Sequence, residues 1–270
     1  MNQELVKDFK FKKKFGQNFL KDENILRNIV EKSEIDKNTL VLEIGVGAAY
    51  LTYYVSEKAK NVIGYEIDES LKEIINDQLI DRDNVEIVFE DFLQAKVKSK
   101  LEEYKYKKLY VVANLPYYIT TPIINKIIDD DLGVDKIVIM VQKEVGDRFN
   151  EPNSKEYNSL TIFLNYYFDI KKLMDVSRNC FVPKPNVDSV IVEFKANKKY
   201  KVKNEELFFK LVRDSFKFKR KNLRNNLKGY DLEKVEYALN KIGKDLTVRA
   251  EALTIEDFVL ISNSLWYNYI

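Results

Sequence analysis

Five short apolar runs, rich in β-branched residues, recur along the first half of the chain, at residues 39–44, 61–67, 84–89, 109–114 and 135–141. Segments of helical pattern and length separate these runs. Strands that are buried on both faces and that alternate with helices are typical of a parallel, doubly wound sheet. The pattern therefore predicts an α/β fold for this part of the chain.

An amphipathic helix precedes the first of these strands. Ile25, Leu26, Ile29 and Val30 recur at helical spacing behind Asp22, whose side chain can cap the first turn. We expect this helix to pack its apolar side against the sheet.

The pattern of apolar and polar residues changes twice in the second half of the chain. Residues 168–177 and 187–194 predict two more strands, joined by a proline-containing loop. A lysine-rich stretch follows at 196–204, and every later segment has a helical pattern. We therefore expect two domains, an α/β domain over residues 1–198 and a small all-helical domain over residues 199–270.

The composition excludes several classes of catalytic and metal site. The chain has no histidine and one cysteine, Cys180, which rules out Ser-His-Asp and Cys-His catalysis, zinc bound by histidines or clustered cysteines, and an intramolecular disulfide. The chemistry must use carboxylates, amides, hydroxyls or an organic cofactor, and we expect no metal.

No apolar run reaches the length of about eighteen residues that a membrane span needs, and no apolar signal segment occurs. We expect a cytoplasmic protein without a membrane partner.

Charge is distributed unevenly along the chain. Residues 1–192 hold 28 basic and 32 acidic side chains, whereas residues 193–270 hold 17 and 11. No acid occurs among residues 215–230, a stretch that includes the predicted helix at 220–227 and carries six basic side chains: Lys217, Lys219, Arg220, Lys221, Arg224 and Lys228. A second basic stretch lies near the N-terminus, at Lys7, Lys10, Lys12, Lys13 and Lys14. A solvated helix face would explain such a run, but its place after a domain of opposite charge favours contact with the phosphates of a nucleic acid.

Acidic side chains stand at the ends of three successive predicted strands. Glu43 opens the segment that contains Gly45 and Gly47, Glu66 ends the second strand, and Asp91, followed by Phe92, comes after the third. Glycines let the backbone turn tightly beside a nucleotide, and an acid at the second strand end can accept hydrogen bonds from ribose hydroxyls. The three acids together predict a nucleotide site. Alone, the glycine segment would also suit a dinucleotide enzyme, and Glu43 could simply be a solvated carboxylate.

The fourth strand ends in the tetrapeptide Asn114-Leu115-Pro116-Tyr117. An exocyclic adenine amine is a poor nucleophile, because its lone pair is delocalised into the ring. Acceptors aimed at its two N–H protons, the Asn114 side-chain oxygen and the Pro116 carbonyl, would favour a pyramidal nitrogen and the positive charge that develops on it. Tyr117 could stack on a base that has swung out of its helix. The tetrapeptide would thus suit methyl transfer to an adenine amine, although taken alone it is more readily explained as an ordinary turn after a strand.

Nearly the whole chain resembles the ribosomal RNA adenine N6,N6-dimethyltransferases. The resemblance rests on motifs that occur in order: Phe15 to Leu20, Glu43 to Gly47, Asn114 to Tyr117 with Thr120 to Pro122, Val141 to Val145, Phe181 to Ser189, Phe218 to Leu227 and Arg249 to Glu251. It implies a Rossmann-like domain that binds S-adenosylmethionine, followed by a helical RNA-binding domain. It also implies dimethylation of two adjacent adenosines near the 3′ end of small-subunit rRNA, within a pre-ribosomal 30S particle, by a monomeric enzyme.

The resemblance also implies roles for individual residues. Asn18 and Leu20 would contact the methionine end of the cofactor, Gly45 would approach it closely, Glu66 would hold the ribose, and Asp91 would bind the adenine. Further members of the expected cofactor site are Glu43, Gly47, Phe92 and Asn114. Phe181 would stack on the target adenine opposite Tyr117, and the expected RNA contacts are Lys219, Arg220, Lys221 and Arg224. The chain departs from the family at Ala49, where glycine is common, and at Tyr118, where asparagine is frequent.

Three other functions compete with this interpretation. The related methyltransferases that act on large-subunit rRNA and confer antibiotic resistance share the fold, the cofactor and an Asn-x-Pro-Tyr motif. The small-subunit family is more similar at Leu115, in the segment Phe181 to Ser189 and in the C-terminal segment Arg249 to Glu251. A ribosome-assembly factor would use the same surface, so the sequence does not separate it. A nicotinamide dehydrogenase would leave Asn114 to Tyr117 unexplained.

Overall fold

Nine strands and eleven α-helices make up the described part of the chain. The computed structural model describes residues 9, 12, 17–114, 119–147, 157–197 and 199–266. The strands are β1 (Phe19–Leu20), β2 (Thr39–Ile44), β3 (Asn61–Glu66), β4 (Val85–Phe89), β5 (Lys108–Asn114), β6 (Lys136–Gln142), β7 (Phe168–Val176), β8 (Phe181–Val182) and β9 (Ser189–Ala196). The helices are α1 (Glu23–Lys32), α2 (Tyr50–Lys58), α3 (Lys72–Gln78), α4 (Val97–Leu101), α5 (Thr120–Asp129), α6 (Lys143–Asp147), α7 (Ser159–Tyr167), α8 (Glu205–Ser215), α9 (Leu223–Asn226), α10 (Leu232–Asn240) and α11 (Ile255–Trp266).

Seven of the strands form one sheet, in the order β4-β3-β2-β5-β6-β9-β7. The pairs from β4 to β6 are all parallel, and β9 runs antiparallel to β6. This confirms the mostly parallel, doubly wound sheet, and each predicted strand lies within two residues of the observed one. Strand β2 has β3 on one side and β5 on the other, so the winding reverses there. A ligand site is expected at the carboxyl ends of the strands beside such a reversal.

The helix before the first long strand forms as predicted. The Asp22 side chain accepts hydrogen bonds from the N–H groups of Asn24 and Ile25 and caps α1. Leu26, Ile29 and Val30 are buried in the same core cluster as residues of β2, β3, β5 and β6. Strand β2 is buried along its whole length, as expected for a central strand that is covered on both faces.

A second, two-stranded sheet was not predicted from the sequence. Strand β1 pairs antiparallel with β8, and this pairing sets Leu20 opposite Phe181 and Phe19 opposite Val182. Each strand is two residues long, too short for an alternating pattern to reveal it. Their pairing brings together residues from opposite ends of the α/β region.

The chain divides into two compact units. The first contains Met1–Gly146 and Lys171–Lys195, and the second contains Asp147–Ile170 and Ala196–Ile270. The sequence interpretation placed residues 147–170 before its boundary, in the first domain. They belong to the second unit because Tyr157, Ile162 and Tyr166 pack in one apolar cluster with α8, α10 and α11. No helix in the described ranges is long and apolar enough to cross a membrane.

The predicted basic helix at 220–227 is shorter than expected, because only residues 223–226 of it are helical. Helix α8 ends at Ser215, residues 216–222 form turns, and α9 is only four residues long. The reason lies in two asparagines. Asn222 caps α9 by accepting the N–H of Asn225, which requires a non-helical backbone at residue 222, and the Asn226 amide donates to the carbonyl of Ser215 at 2.7 Å.

Candidate active site

A cavity of ≈ 470 Å³ lies within the first unit and is lined by residues that follow strands β2 to β5. Ten residues that the sequence assigned to cofactor or target base line it: Asn18, Leu20, Glu43, Gly45, Gly47, Glu66, Asp91, Phe92, Asn114 and Phe181. Pro116 and Tyr117, the other two assigned to catalysis, lie outside the described residues. The structure therefore brings every described member of the predicted pocket to one place.

The glycine turn after β2 forms the floor of this cavity. Gly45 has φ 75° and Gly47 has φ 58°, a region that side-chain-bearing residues rarely adopt. The Gly45 N–H donates to the Tyr65 carbonyl at 2.9 Å, which ties the turn to β3. A Cβ at Gly47 would lie 3.2 Å from the Phe19 ring. Ala49, where the family commonly has glycine, also has a positive φ, of 59°.

Glu66 is the best-connected acid in the site. Its two carboxylate oxygens accept the backbone N–H groups of Gly47 and Asp68, each at 2.8 Å, and the residue is only 6% exposed. Burial raises the pKa of this carboxyl, and the two backbone hydrogen bonds act in the opposite direction. Fixed in this way at the cavity wall, each oxygen retains a lone pair for a ligand hydroxyl.

The third strand-end acid, Asp91, is partly exposed beside the cavity. One of its oxygens, Oδ1, accepts the Leu93 N–H at 3.0 Å and so fixes the side chain. Phe92 is only 4% exposed, because its ring packs edge-on against Tyr65 with 5.5 Å between centroids. Phe92 thus supports the cavity wall, while Asp91 offers it a polar group.

Glu43 is the most buried carboxyl of the site. It is 1% exposed, so the alternative of a solvated strand-end carboxylate is wrong. Its Oε2 atom has no hydrogen-bond partner among the described residues. Burial is the main cause that raises the pKa of Glu43 to about 8, and the nearby charge of Glu66 adds to it. The cavity therefore contains a titratable group that changes charge near neutral pH.

The N-terminal segment covers another part of the cavity wall. Leu20 lies in β1 opposite Phe181, which is only 4% exposed, and both side chains line the cavity. At the end of β5, the Asn114 amide donates to the Asn18 carbonyl at 3.4 Å. The small sheet and this hydrogen bond explain how Asn18, Asn114 and Phe181, far apart in sequence, reach one site.

The sequence interpretation missed a polar network that holds this segment in place. Lys12 Nζ lies 2.6 Å from Asp68 Oδ1, and the Gln17 amide donates to Asp68 Oδ2 at 2.8 Å. Lys12 was named among the N-terminal basic residues, and the other four lie outside the described residues. The signal that could have revealed the network is Asp68 itself, an acid only two residues after Glu66.

Ile67 is a second residue that the sequence interpretation missed. It lines the cavity directly after Glu66 and is 50% exposed, although it is a large apolar side chain. An exposed isoleucine at the cavity provides an apolar surface for a flat ligand group.

The four predicted RNA contacts belong to the second unit and differ in the charges that surround them. Lys219, Arg220 and Lys221 are exposed in the turn that precedes α9. Arg224, in α9, lies 3.6 Å from Glu236, and its charge contributes to lowering the pKa of Asp245, whose first cause is the hydrogen bonds from Thr247. Nearby acids therefore offset part of the charge of Arg224.

Known sequences of one family match nearly the whole chain. The model of the family described as ribosomal RNA adenine dimethylase matches residues 8–266. A relative from Streptococcus thermophilus, named ribosomal RNA small subunit methyltransferase A, is 45% identical over 269 residues, which cover 95% of this chain and 92% of that protein.

Two solved structures share the fold across both units. A dimethyladenosine transferase from Plasmodium falciparum is 25% identical with a TM-score of 0.74, and the match covers 90% of this chain and 95% of that one. The 23S rRNA methyltransferase ErmE is 24% identical with a TM-score of 0.74, covering 92% of this chain and 99% of that one. The likeness to ErmE shows the fold alone.

Proposed function

Because the chain belongs to the ribosomal RNA adenine dimethylase family, we propose that it uses S-adenosylmethionine to dimethylate N6 of two adjacent adenosines near the 3′ end of small-subunit (16S) rRNA. The chain is thus a ribosomal RNA methyltransferase. Beyond that, we propose its cofactor, its target adenosines and the roles of its site residues. The substrate would be the rRNA within a pre-ribosomal 30S particle in the cytoplasm. The 45% identity to a small-subunit methyltransferase supports this target over large-subunit rRNA.

One observation carries the proposal: Glu66, Asp91 and Asn114, at the ends of three strands of one sheet, line a single cavity beside the sheet reversal. The cavity has the size of a site for a nucleoside-sized ligand. Its hydrogen-bond acceptors also fit the cofactor, with Glu66 accepting from ribose hydroxyls and Asp91 from an adenine amine. The buried Glu43 Oε2, which has no hydrogen-bond partner among the described residues, would accept a hydrogen bond from a cationic methionine end, whose charge would favour the ionised form of the carboxyl.

The chain's own residues would then prepare the adenine for methylation. S-adenosylmethionine, when bound, supplies a methyl group on a sulfonium centre. The Asn114 side-chain oxygen would accept a hydrogen bond from the target amine and stabilise the positive charge that develops on N6. Asn114 is suited to this role because its amide nitrogen already donates to the Asn18 carbonyl, which orients the oxygen. Phe181 would stack on the base, with Tyr117 and the Pro116 carbonyl completing the site.

The test compares small-subunit and large-subunit ribosomal particles as substrates of the purified protein. Purified protein and methyl-labelled S-adenosylmethionine are incubated with small-subunit and with large-subunit particles that lack adenine methylation, and labelled adenosines are mapped. We expect two adjacent dimethyladenosines in small-subunit rRNA near its 3′ end. Label in large-subunit rRNA alone would contradict the proposed target but keep the reaction, whereas tight particle binding without label would favour an assembly factor.

A further inference from the structure

The turn at residues 217–221, called here the basic turn, exposes an aromatic ring in the second unit. Phe218 is 57% exposed and stands between Lys217 and Lys219, and all five side chains of the turn are exposed. An exposed phenylalanine leaves apolar surface in water, and nothing in the folding of the unit requires it.

The core of the second unit accounts for Phe216 but not for Phe218. The Phe216 ring lies 5.9 Å from the Phe258 ring and 6.1 Å from the Tyr157 ring, so it packs with the apolar cluster of this unit. Among the described residues, the ring of Phe218, two residues later, is contacted by the ammonium of Lys217, 5.7 Å from the ring centroid. The Phe216 ring therefore faces the core of the second unit, whereas the Phe218 ring is exposed to solvent.

The basic turn is held in a defined shape. The Asn226 side-chain amide donates to the Ser215 carbonyl at 2.7 Å and approaches the carbonyls of Phe218 and Lys221, each at 3.4 Å. The backbone N–H of Lys221 also donates to the Phe218 carbonyl at 2.9 Å. A ring presented on such a fixed turn loses little conformational entropy when it binds a flat partner.

The charge around Phe218 indicates the chemistry of that partner. Lys217, Lys219, Arg220 and Lys221 surround it in sequence, and no acid occurs among residues 215–230. An apolar protein surface would have to bury these four cations, whereas a nucleic acid offers phosphates for them and base faces for the ring. Aromatic rings beside lysines and arginines are the usual means of binding unpaired nucleotides.

We propose that Phe218 stacks on an unpaired base of the RNA substrate while the cations of the basic turn contact the flanking phosphates. The proposal rests on the proposed function, since it takes the substrate to be RNA. It adds a contact to a base, which simple charge attraction would not provide.

The test compares Phe218→Ala with the parent enzyme on two RNAs of equal length, one single-stranded and one fully duplex, across a salt series. Loss of one base stack should weaken binding to the single strand by about five- to a hundredfold. Binding to the duplex should stay unchanged, because its bases are already stacked. The slope of log affinity against log salt should also stay unchanged, because no cation is removed. Phe218→Trp should keep the parental affinity.

Tyr237→Ala is the matched control. Tyr237 is 61% exposed in the same unit and has the Lys241 ammonium 4.2 Å from its ring centroid, but its helix α10 also carries Glu233 and Glu236, which repel phosphate. We expect this variant to bind both RNAs as the parent does. Parental binding by Phe218→Ala, or an equal loss on both RNAs, would overturn the stacking proposal. Failure of the proposed function would differ, because the parent itself would then neither methylate nor prefer small-subunit particles.

Discussion

Glu66 accepts a hydrogen bond from the backbone N–H of Gly47, and the 2.8 Å between Gly47 N and Glu66 Oε2 ties the acid at the end of β3 to the glycine turn after β2. One carboxylate thus fixes the shape of the turn and faces the cavity. Two strand ends of the proposed cofactor site therefore depend on a single side chain.

Replacement of Glu66 by alanine should weaken S-adenosylmethionine binding by on the order of 1–3 kcal/mol, because ribose hydroxyls lose a charged acceptor and Gly47 loses its partner. Calorimetric titration measures the change. Glu69→Ala is the control, since Glu69 is an exposed acid three residues away. Equal affinities for the parent and Glu66→Ala would remove Glu66 from the site.

Replacement of Asn114 by alanine should impair methyl transfer but not cofactor binding. Cofactor affinity should stay broadly the same, while the methylation rate should fall by roughly a hundredfold or more, as loss of an acceptor that acts in the transition state does. Single-turnover methylation of small-subunit particles, with cofactor titration alongside, measures both quantities. Turnover within about threefold of the parent would show that Asn114 does not have this role.

Glu43 should make stability depend on pH. Its pKa is raised from 4.5 to about 8 in the folded protein, so the folded state holds a proton that the unfolded state has lost between these values. Its contribution to the free energy of unfolding is then intact below pH 4.5 and is lost as the pH rises through about 8. Glu43→Gln should be more stable than the parent by a few kcal/mol at pH 9 and should lose this advantage by pH 4.5. Urea unfolding at several pH values tests this, and a pH-independent difference would contradict it.

The ion pair of Lys12 with Asp68 should stabilise the N-terminal wall of the cavity. Burial alone raises the pKa of Asp68, but hydrogen bonds from Lys12, Ser70 and Gln17 outweigh it and hold the pKa at about 2. Lys12→Ala should lower the free energy of unfolding at pH 7 by about 1–2 kcal/mol, a modest value because the lysine side chain is 39% exposed.

The pH dependence of that loss identifies its cause. A lowered pKa contributes stability above the unfolded value of about 3.9, and this contribution is lost as the pH falls toward 2. The difference between Lys12→Ala and the parent should therefore shrink as the pH is lowered from 7 to 3 in urea unfolding experiments. Lys58→Ala, which removes an exposed lysine at the end of α2, is the control. Equal losses for both variants would show that the ion pair with Asp68 is unimportant.

The predicted RNA contacts should differ in their effect on the salt dependence of binding. Lys221→Ala should lower the slope of log affinity against log salt by about 0.7–0.9, as expected for one lost phosphate contact. Arg224→Ala should lower it less, because Glu236 lies 3.6 Å from the arginine and competes with phosphate. Particle binding across a salt series measures both slopes, with cofactor affinity as the folding control. A larger change for Arg224→Ala would reverse this ranking.

The apolar pattern along the chain is sufficient to predict the sheet and the place of the site. Apolar runs such as 109–114 are long enough to predict buried strands, and in a parallel sheet the acids that follow them must lie at one edge. Glu66, Asp91 and Asn114 could therefore be assigned to one pocket from their positions in the chain.

Features that depend on contacts between distant segments are visible only in the folded chain. The two-residue strands β1 and β8 carry no pattern of their own, and their pairing alone sets Leu20 opposite Phe181. Asn226 holds residues 216–222 as a turn although their composition suits a helix, because a side-chain amide reaches backbone carbonyls across the loop. The burial of Glu43 likewise follows from the helices and strands packed around it, and local sequence does not encode the solvent exposure of a strand end.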